Sequence, residues 1–174
     1  AEFAIRAVLG QQISTAAART HAARLVLAHG DPIEDPDGGL THLFPTPEAL
    51  LGLDPERLAM PRTRRVTLQG LIRALVEDGL DLVIGGDWEK VRAKLSELPG
   101  IGPWTIETIA MRAMGDPDAF IATDLGVRVA AENLGLPVKP KDLIERSAAW
   151  RPWRAYAVQH LWGTGEHAVN RIPV

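Results

Sequence analysis

In Leu98-Pro99-Gly100-Ile101-Gly102-Pro103-Trp104-Thr105 two glycines stand two positions apart between helix-forming stretches, and Asp124 follows Trp104 by twenty residues. A glycine turn at a helix start leaves backbone N–H groups uncovered, which suits a phosphate without any cationic side chain. Gly100 and Gly102 put no Cβ between those amides and a ligand, while Leu98 and Ile101 can anchor the turn so that the amides keep one direction. Such contacts position a duplex without reading its sequence. A tight interhelical turn that carries two glycines is the plain alternative. Asp124 opens the segment Leu125–Leu134, where an aspartate can be an ordinary helix cap. A carboxylate there can also stabilise the oxocarbenium-like charge that builds on a deoxyribose as its base departs, and can orient or deprotonate water. Asp118 is the nearest rival, at the far end of the short strap before Asp124.

These residues need a scaffold, and composition bounds it. At 174 residues and 46% hydrophobic the chain suits one folded domain with a sizeable core. Cysteine is absent, which removes disulfides, thiol nucleophiles and cysteine-held zinc or iron–sulfur clusters. The five histidines, His21, His29, His42, His160 and His167, form no metal-type pair. Neither a secretory signal nor a bilayer-spanning run is visible, so a cytoplasmic protein without membrane contact is expected. A net charge of −3 and a pI near 6.0 do not advertise nucleic-acid binding, so any such surface must be local. Arg62, Arg64 and Arg65 cluster at one helix start and are candidates, with a merely solvated helix end as the other reading.

The elements that position the motif read as helices almost throughout. Ser14 caps a helix to about His29, a second runs from Arg64 to Asp78 before Gly79, and Asp87 caps a third to Glu97. The segments Pro103–Met114, Asp124–Leu134, Lys141–Ala148 and Pro152–Trp162 follow, with Asp118–Ala122 as an extended strap. Proline after a capping or turn residue at Thr46-Pro47, Asp54-Pro55 and Arg151-Pro152 predicts helix starts. No useful strand alternation appears, so an all-α fold is expected. Gly30–Leu40 reads as a loop excursion. The chain begins at Ala1 without methionine and already looks helical, as a fragment would.

Helix, glycine turn, helix resembles the helix-hairpin-helix motif of DNA repair proteins, and Asp124 beyond it matches the HhH-GPD superfamily of DNA glycosylases. More narrowly, Val8-Leu9-Gly10-Gln11-Gln12-Ile13-Ser14, Phe44-Pro45-Thr46-Pro47, Leu98–Thr105, Trp150-Arg151-Pro152-Trp153-Arg154-Ala155-Tyr156-Ala157 and His160-Leu161-Trp162 are similar to the bacterial 3-methyladenine DNA glycosylase II family. The resemblance covers essentially the whole chain and implies one glycosylase domain over 1–174, with the hairpin at about 91–114. It also implies a sheet-containing N-terminal domain ahead of the equivalent of Ala1, absent from this chain.

What the resemblance implies for the site is specific. Asp124 corresponds to the catalytic aspartate. At Trp104 strand-nicking members carry a Schiff-base lysine; tryptophan cannot form one, so a monofunctional enzyme that uses water is expected. Trp104 and Trp162 match positions lining the base pocket, where π-rich walls suit a cationic alkylated purine such as 3-methyladenine or 7-methylguanine. Read without the resemblance, each tryptophan is as readily core packing. Thr108 and Leu125 fall where the best-known member has aromatic residues, so the pocket should be less aromatic there. Gln12 corresponds to the side chain that fills the gap left by the flipped nucleotide, or else Gln11-Gln12 is a polar break between helices. DNA contacts are then expected at Gln12, Gly100, Ile101, Gly102, Thr105, Arg64 and Arg65. The backbone carbonyls of Ser96, Leu98 and Ile101 match those that hold a structural Na+ or K+ in related hairpins; no cofactor is otherwise required. The implied partner is double-stranded DNA with alkylated bases, bound by a monomer. Two other readings stay open: a hairpin module that binds DNA without catalysis, and a glycosylase for an oxidised or mismatched base.

Overall fold

The computed structural model describes residues 1–164 apart from 55 and 57. The described residues form the helices α1 (Glu2–Leu9), α2 (Thr15–His29), α3 (Pro47–Leu50), α4 (Arg62–Val76), α5 (Trp88–Ser96), α6 (Pro103–Ala113), α7 (Leu125–Asn133), α8 (Pro140–Ser147) and α9 (Arg154–Gly163). A 3-10 turn, Ala148–Trp150, precedes α9. Among the described residues there is no strand beyond one isolated bridge, Pro32 to His42, so the all-α expectation holds.

Local chemistry accounts for most boundaries. Ser14 Oγ accepts from the Ala17 amide at 3.2 Å and Thr46 Oγ1 from Ala49 at 3.3 Å, while Asp87 Oδ1 accepts from Lys90 at 3.0 Å. Proline occupies the first turn of α3, α6 and α8. Two expectations need correction. Helix α4 starts at Arg62, because Pro61 holds the extended conformation that launches it, and it ends at Val76 rather than Asp78. Pro152 does not open α9, whose N-cap is Trp153. Pro55, expected at a helix start, and His167 lie outside the described residues.

The chain divides into two compact units. The first comprises Ala1–Leu82 with Ala93–Ile101. Here α4 packs on α1 and α3, and α1 on α2. Ile5, Val8 and Leu9 of α1, Leu25, Leu50, and Leu68, Leu71 and Ile72 of α4 are at most 2% exposed, a core set by the three-and-four spacing on α1 and α4. The second comprises Val83–Arg92 with the described residues from Gly102 on. Its core joins Met111, Phe120, Ile121, Val127, Leu143, Val158, Leu161 and Trp162, with Trp104, Leu136 and Trp150 packed against it. Both expected chemistry-bearing tryptophans are therefore rooted in one interior.

Candidate active site and nucleic acid contacts

The strap that delivers Asp124 is tied down along its length by charged groups of the second unit. Arg92 makes a bidentate contact to Glu107, at 2.8 and 3.1 Å, and a further bond to Asp116, which is 3% exposed. Glu107 Oε2 also accepts the Phe120 amide at 3.1 Å, and Asp116 Oδ1 accepts the Asp118 amide at 2.8 Å. Asp118 itself is gripped by Arg154 through two bonds of 2.7 and 2.9 Å, with Arg151 at 3.2 Å. Burial pushes the Asp118 carboxyl upward, but the Arg154 hydrogen bond and the charges of Arg154 and Arg151 outweigh it, and the pKa falls below its ordinary value. Asp118 is thus a scaffold carboxylate. Spacing in the sequence carries no sign of the Arg92–Glu107–Asp116 cluster, although Asp116 stands in an evident helix break.

At the end of this strap Asp124 N-caps α7, its Oδ1 accepting the Val127 amide at 2.9 Å. The cap does not exhaust it. Trp162 Nε1 donates to the same Oδ1 at 2.8 Å, and Trp104 Nε1 donates to Oδ2 at 3.0 Å. Three donors from α6, α7 and α9 therefore fix a half-buried carboxylate. An ionised carboxylate has about four lone-pair sites. One on Oδ2 is left to direct a water or face a developing cation. Arg112 lies 5.4 Å above the Trp162 ring and covers one of its faces. Leu125, expected at the same site, is 72% exposed beside Asp124. Thr108 is buried, and its hydroxyl donates to the Trp104 carbonyl at 2.6 Å, so that polar group is already engaged.

The two glycines of the turn have different roles. Gly100 has φ +84, and a Cβ there would meet Thr67 Oγ1 of α4 at 2.0 Å, so its lack of a side chain permits close packing. Gly102, at the N-cap of α6, has nothing within 4 Å of where a Cβ would stand and leaves its surface open. Ile101 is buried and anchors the turn, its amide donating to the Leu98 carbonyl at 3.1 Å. Gln11 Nε2 donates to the Gly100 carbonyl at 3.0 Å, fastening the α1–α2 connection to the turn. Next to it Gln12 is exposed with φ +56, a backbone state that residues other than glycine seldom adopt.

Three expected DNA contacts sit differently from a solvated patch. Thr105 is 3% exposed, so its side chain is shielded from solvent. Arg65 pairs with Glu56 at 2.6 Å. Arg64 is 8% exposed, because it shares the inward stripe of α4 with Leu68 and Leu71. Among the described residues no group of three His, Cys, Asp or Glu could hold a metal ion, and no helix is long and apolar enough to cross a membrane.

The family model for the HhH-GPD superfamily base excision DNA repair protein matches residues 5–155. The chain belongs to the HhH-GPD superfamily. It is 56% identical over 99% of its length to the "Probable bifunctional transcriptional activator/DNA repair enzyme AlkA" of Mycobacterium tuberculosis, of which it covers 35%. It is 34% identical to "DNA-3-methyladenine glycosylase 2" of Escherichia coli over 94% of the chain and 57% of that protein. Among solved structures, the "3-methyladenine dna-glycosylase from Archaeoglobus fulgidus" matches with a TM-score of 0.77 and 27% identity, over 91% of this chain and 55% of that one. The HhH-GPD chain described here thus spans between a third and rather over half of these relatives.

Proposed function

We propose that this chain acts as a monofunctional DNA glycosylase that releases alkylated purines such as 3-methyladenine and 7-methylguanine by hydrolysing the N-glycosidic bond. The observation that carries the reading is the convergence of the Trp104 and Trp162 indole N–H groups on Asp124. A cap needs only the Val127 amide; two further donors from separate helices orient an anion for another purpose. As the base leaves, positive charge builds on the sugar, and the fixed carboxylate stabilises it without reorganising. The remaining lone pair on Oδ2 directs the attacking water. An alkylated purine is cationic and already has a weakened glycosidic bond, so modest catalysis suffices. Indole faces such as those of Trp104 and Trp162 favour a cation of this kind. Trp104 in place of an amine nucleophile supports hydrolysis without strand cleavage. The names borne by the Escherichia coli relative and the Archaeoglobus fulgidus structure support the substrate class.

The duplex is held by amides of the glycine turn over the open surface at Gly102, and Gln12 fills the space of the extruded nucleotide. The carbonyls of Ser96, Leu98 and Ile101 would hold a Na+ or K+: hard neutral oxygens suit an alkali ion, and the Leu98 oxygen keeps a lone pair beyond its bond from Ile101. Such an ion would supply positive charge beside the duplex, and no step of the hydrolysis passes through it. A monomer working in the cytoplasm fits this reading. Incubating the protein with methylated duplex DNA and identifying released bases by mass spectrometry tests it: free 3-methyladenine and 7-methylguanine with intact strands are expected. Release of neither base, or strand breaks without alkali, would overturn it.

A further inference from the structure

The N-terminus of α4 opens onto a cleft of about 260 Å3 in the first unit, lined by Gln11, Gln12, Pro61, Thr63, Arg64, Thr67 and Gly100. Helix α4 has fifteen residues, its N-cap is Pro61, and no side chain caps its first amides. Those N–H groups carry the positive end of the helix dipole. A second observation is independent of the helix end. Arg64 is 8% exposed, yet no hydrogen bond, ion pair or ring contact engages its side chain among the described residues. Its nitrogens keep contact with the water of the cleft, while the rest of the residue is shielded, and a charge this enclosed is otherwise usually paired. No lining residue is acidic, and the nearby Glu56 is bound to Arg65. The Thr63 hydroxyl also has no partner among the described residues.

We propose that this cleft is a phosphate-binding site, built from the α4 amides, the Arg64 guanidinium and the Thr63 hydroxyl. It is additional to the amides of the glycine turn. The ligand chemistry is a tetrahedral oxyanion, which a planar guanidinium fork and a helix N-terminus both fit. On the duplex reading given above, on which this choice of source rests, the ligand is a phosphodiester of the DNA backbone. Arg64 then costs stability in the free protein and contributes affinity in the complex.

Arg64→Met separates these effects, because it keeps an unbranched apolar stem and removes the charge. Thr63→Ala, at an exposed position, serves as a second variant. Titration with inorganic phosphate is expected to raise the Tm of the unmodified chain and to shift the amide resonances of residues 62–64. In phosphate-free buffer Arg64→Met should melt about 2–4 °C higher, with no phosphate response. It should bind duplex DNA about tenfold more weakly, with a salt slope smaller by about one. Thr63→Ala should keep the Tm and weaken the phosphate response. Duplex affinity and salt slope unchanged in Arg64→Met, with a lower Tm, would overturn the site while leaving DNA binding intact. A phosphate response in a chain that binds no duplex would uphold the site with free phosphate as its ligand, and would instead remove the DNA reading.

Discussion

Trp162 reaches back 38 residues to donate its indole N–H to Oδ1 of Asp124 at 2.8 Å, on an oxygen that already caps α7. The tryptophan is rooted in the core of the second unit, so its bond is directional and the carboxylate cannot drift. Trp104 does the same for the other oxygen. The orientation of this carboxylate is therefore a property of the hydrophobic core, transmitted through two N–H groups.

Removing only the N–H tests that transmission. Trp162→Phe keeps an aromatic ring in the core and deletes the donor. A hydrogen bond to a charged group contributes about 1.5–3 kcal/mol. Base release measured at saturating enzyme should fall by about 10- to 100-fold, with a Tm drop of only a few degrees.

The two glycines of the turn should separate in a melting experiment. Gly100→Ala places a Cβ against Thr67 at φ +84 and should cost about 2–4 kcal/mol in denaturant unfolding. Adding Thr67→Ala should recover part of that loss, since the two sites share the clash. Gly102→Ala meets open space and should leave stability within about 0.5 kcal/mol while weakening duplex binding in an anisotropy titration.

Much of this was legible in the sequence, and the reasons differ by residue. Ser14, Thr46 and Asp87 announce their helices because a cap bonds to an amide three residues on, a local event that spacing records. Asp124 is legible as a cap for the same reason, and as a candidate catalyst through its place after the glycine turn and the family resemblance. The contact of Gly100 with Thr67 joins residues 33 positions apart, and glycine spacing within the turn cannot distinguish close packing from ligand access. Arg64 reads as solvated by its charge, whereas its place on the Leu68–Leu71 stripe draws it inward. The division into two units is equally hidden, because α5 runs across the boundary without a break in its pattern.

The charged cluster behind the strap should matter more for stability than a surface ion pair. Asp116→Ala would leave the Arg92 guanidinium with Glu107 and Glu89 alone and the Asp118 amide short of an acceptor. A loss of about 1–3 kcal/mol in chemical denaturation is expected. Glu107→Gln keeps an acceptor for Phe120 and should cost less.

Asp118 gives the fold an acid-sensitive tie. Its folded pKa lies below the ordinary 3.8, so its contribution is complete above that pH and fades as pH falls through the folded value. Asp118→Asn should be less stable than the unmodified chain at pH 7, by about 1–3 kcal/mol. Denaturant midpoints taken down the pH scale should converge below pH 3.8, and a gap that persists or widens there would contradict the assignment.

Most depends on whether the carboxylate of Asp124 performs chemistry in addition to capping a helix. Asp124→Asn retains a capping side chain and therefore the fold. Single-turnover excision from a duplex carrying one 7-methylguanine, with duplex affinity measured on the same preparation, decides the matter. Binding should persist while the excision rate falls by about 10^2- to 10^3-fold. Excision at the unmodified rate, in a folded variant that binds DNA, would show that Asp124 is a cap and nothing more.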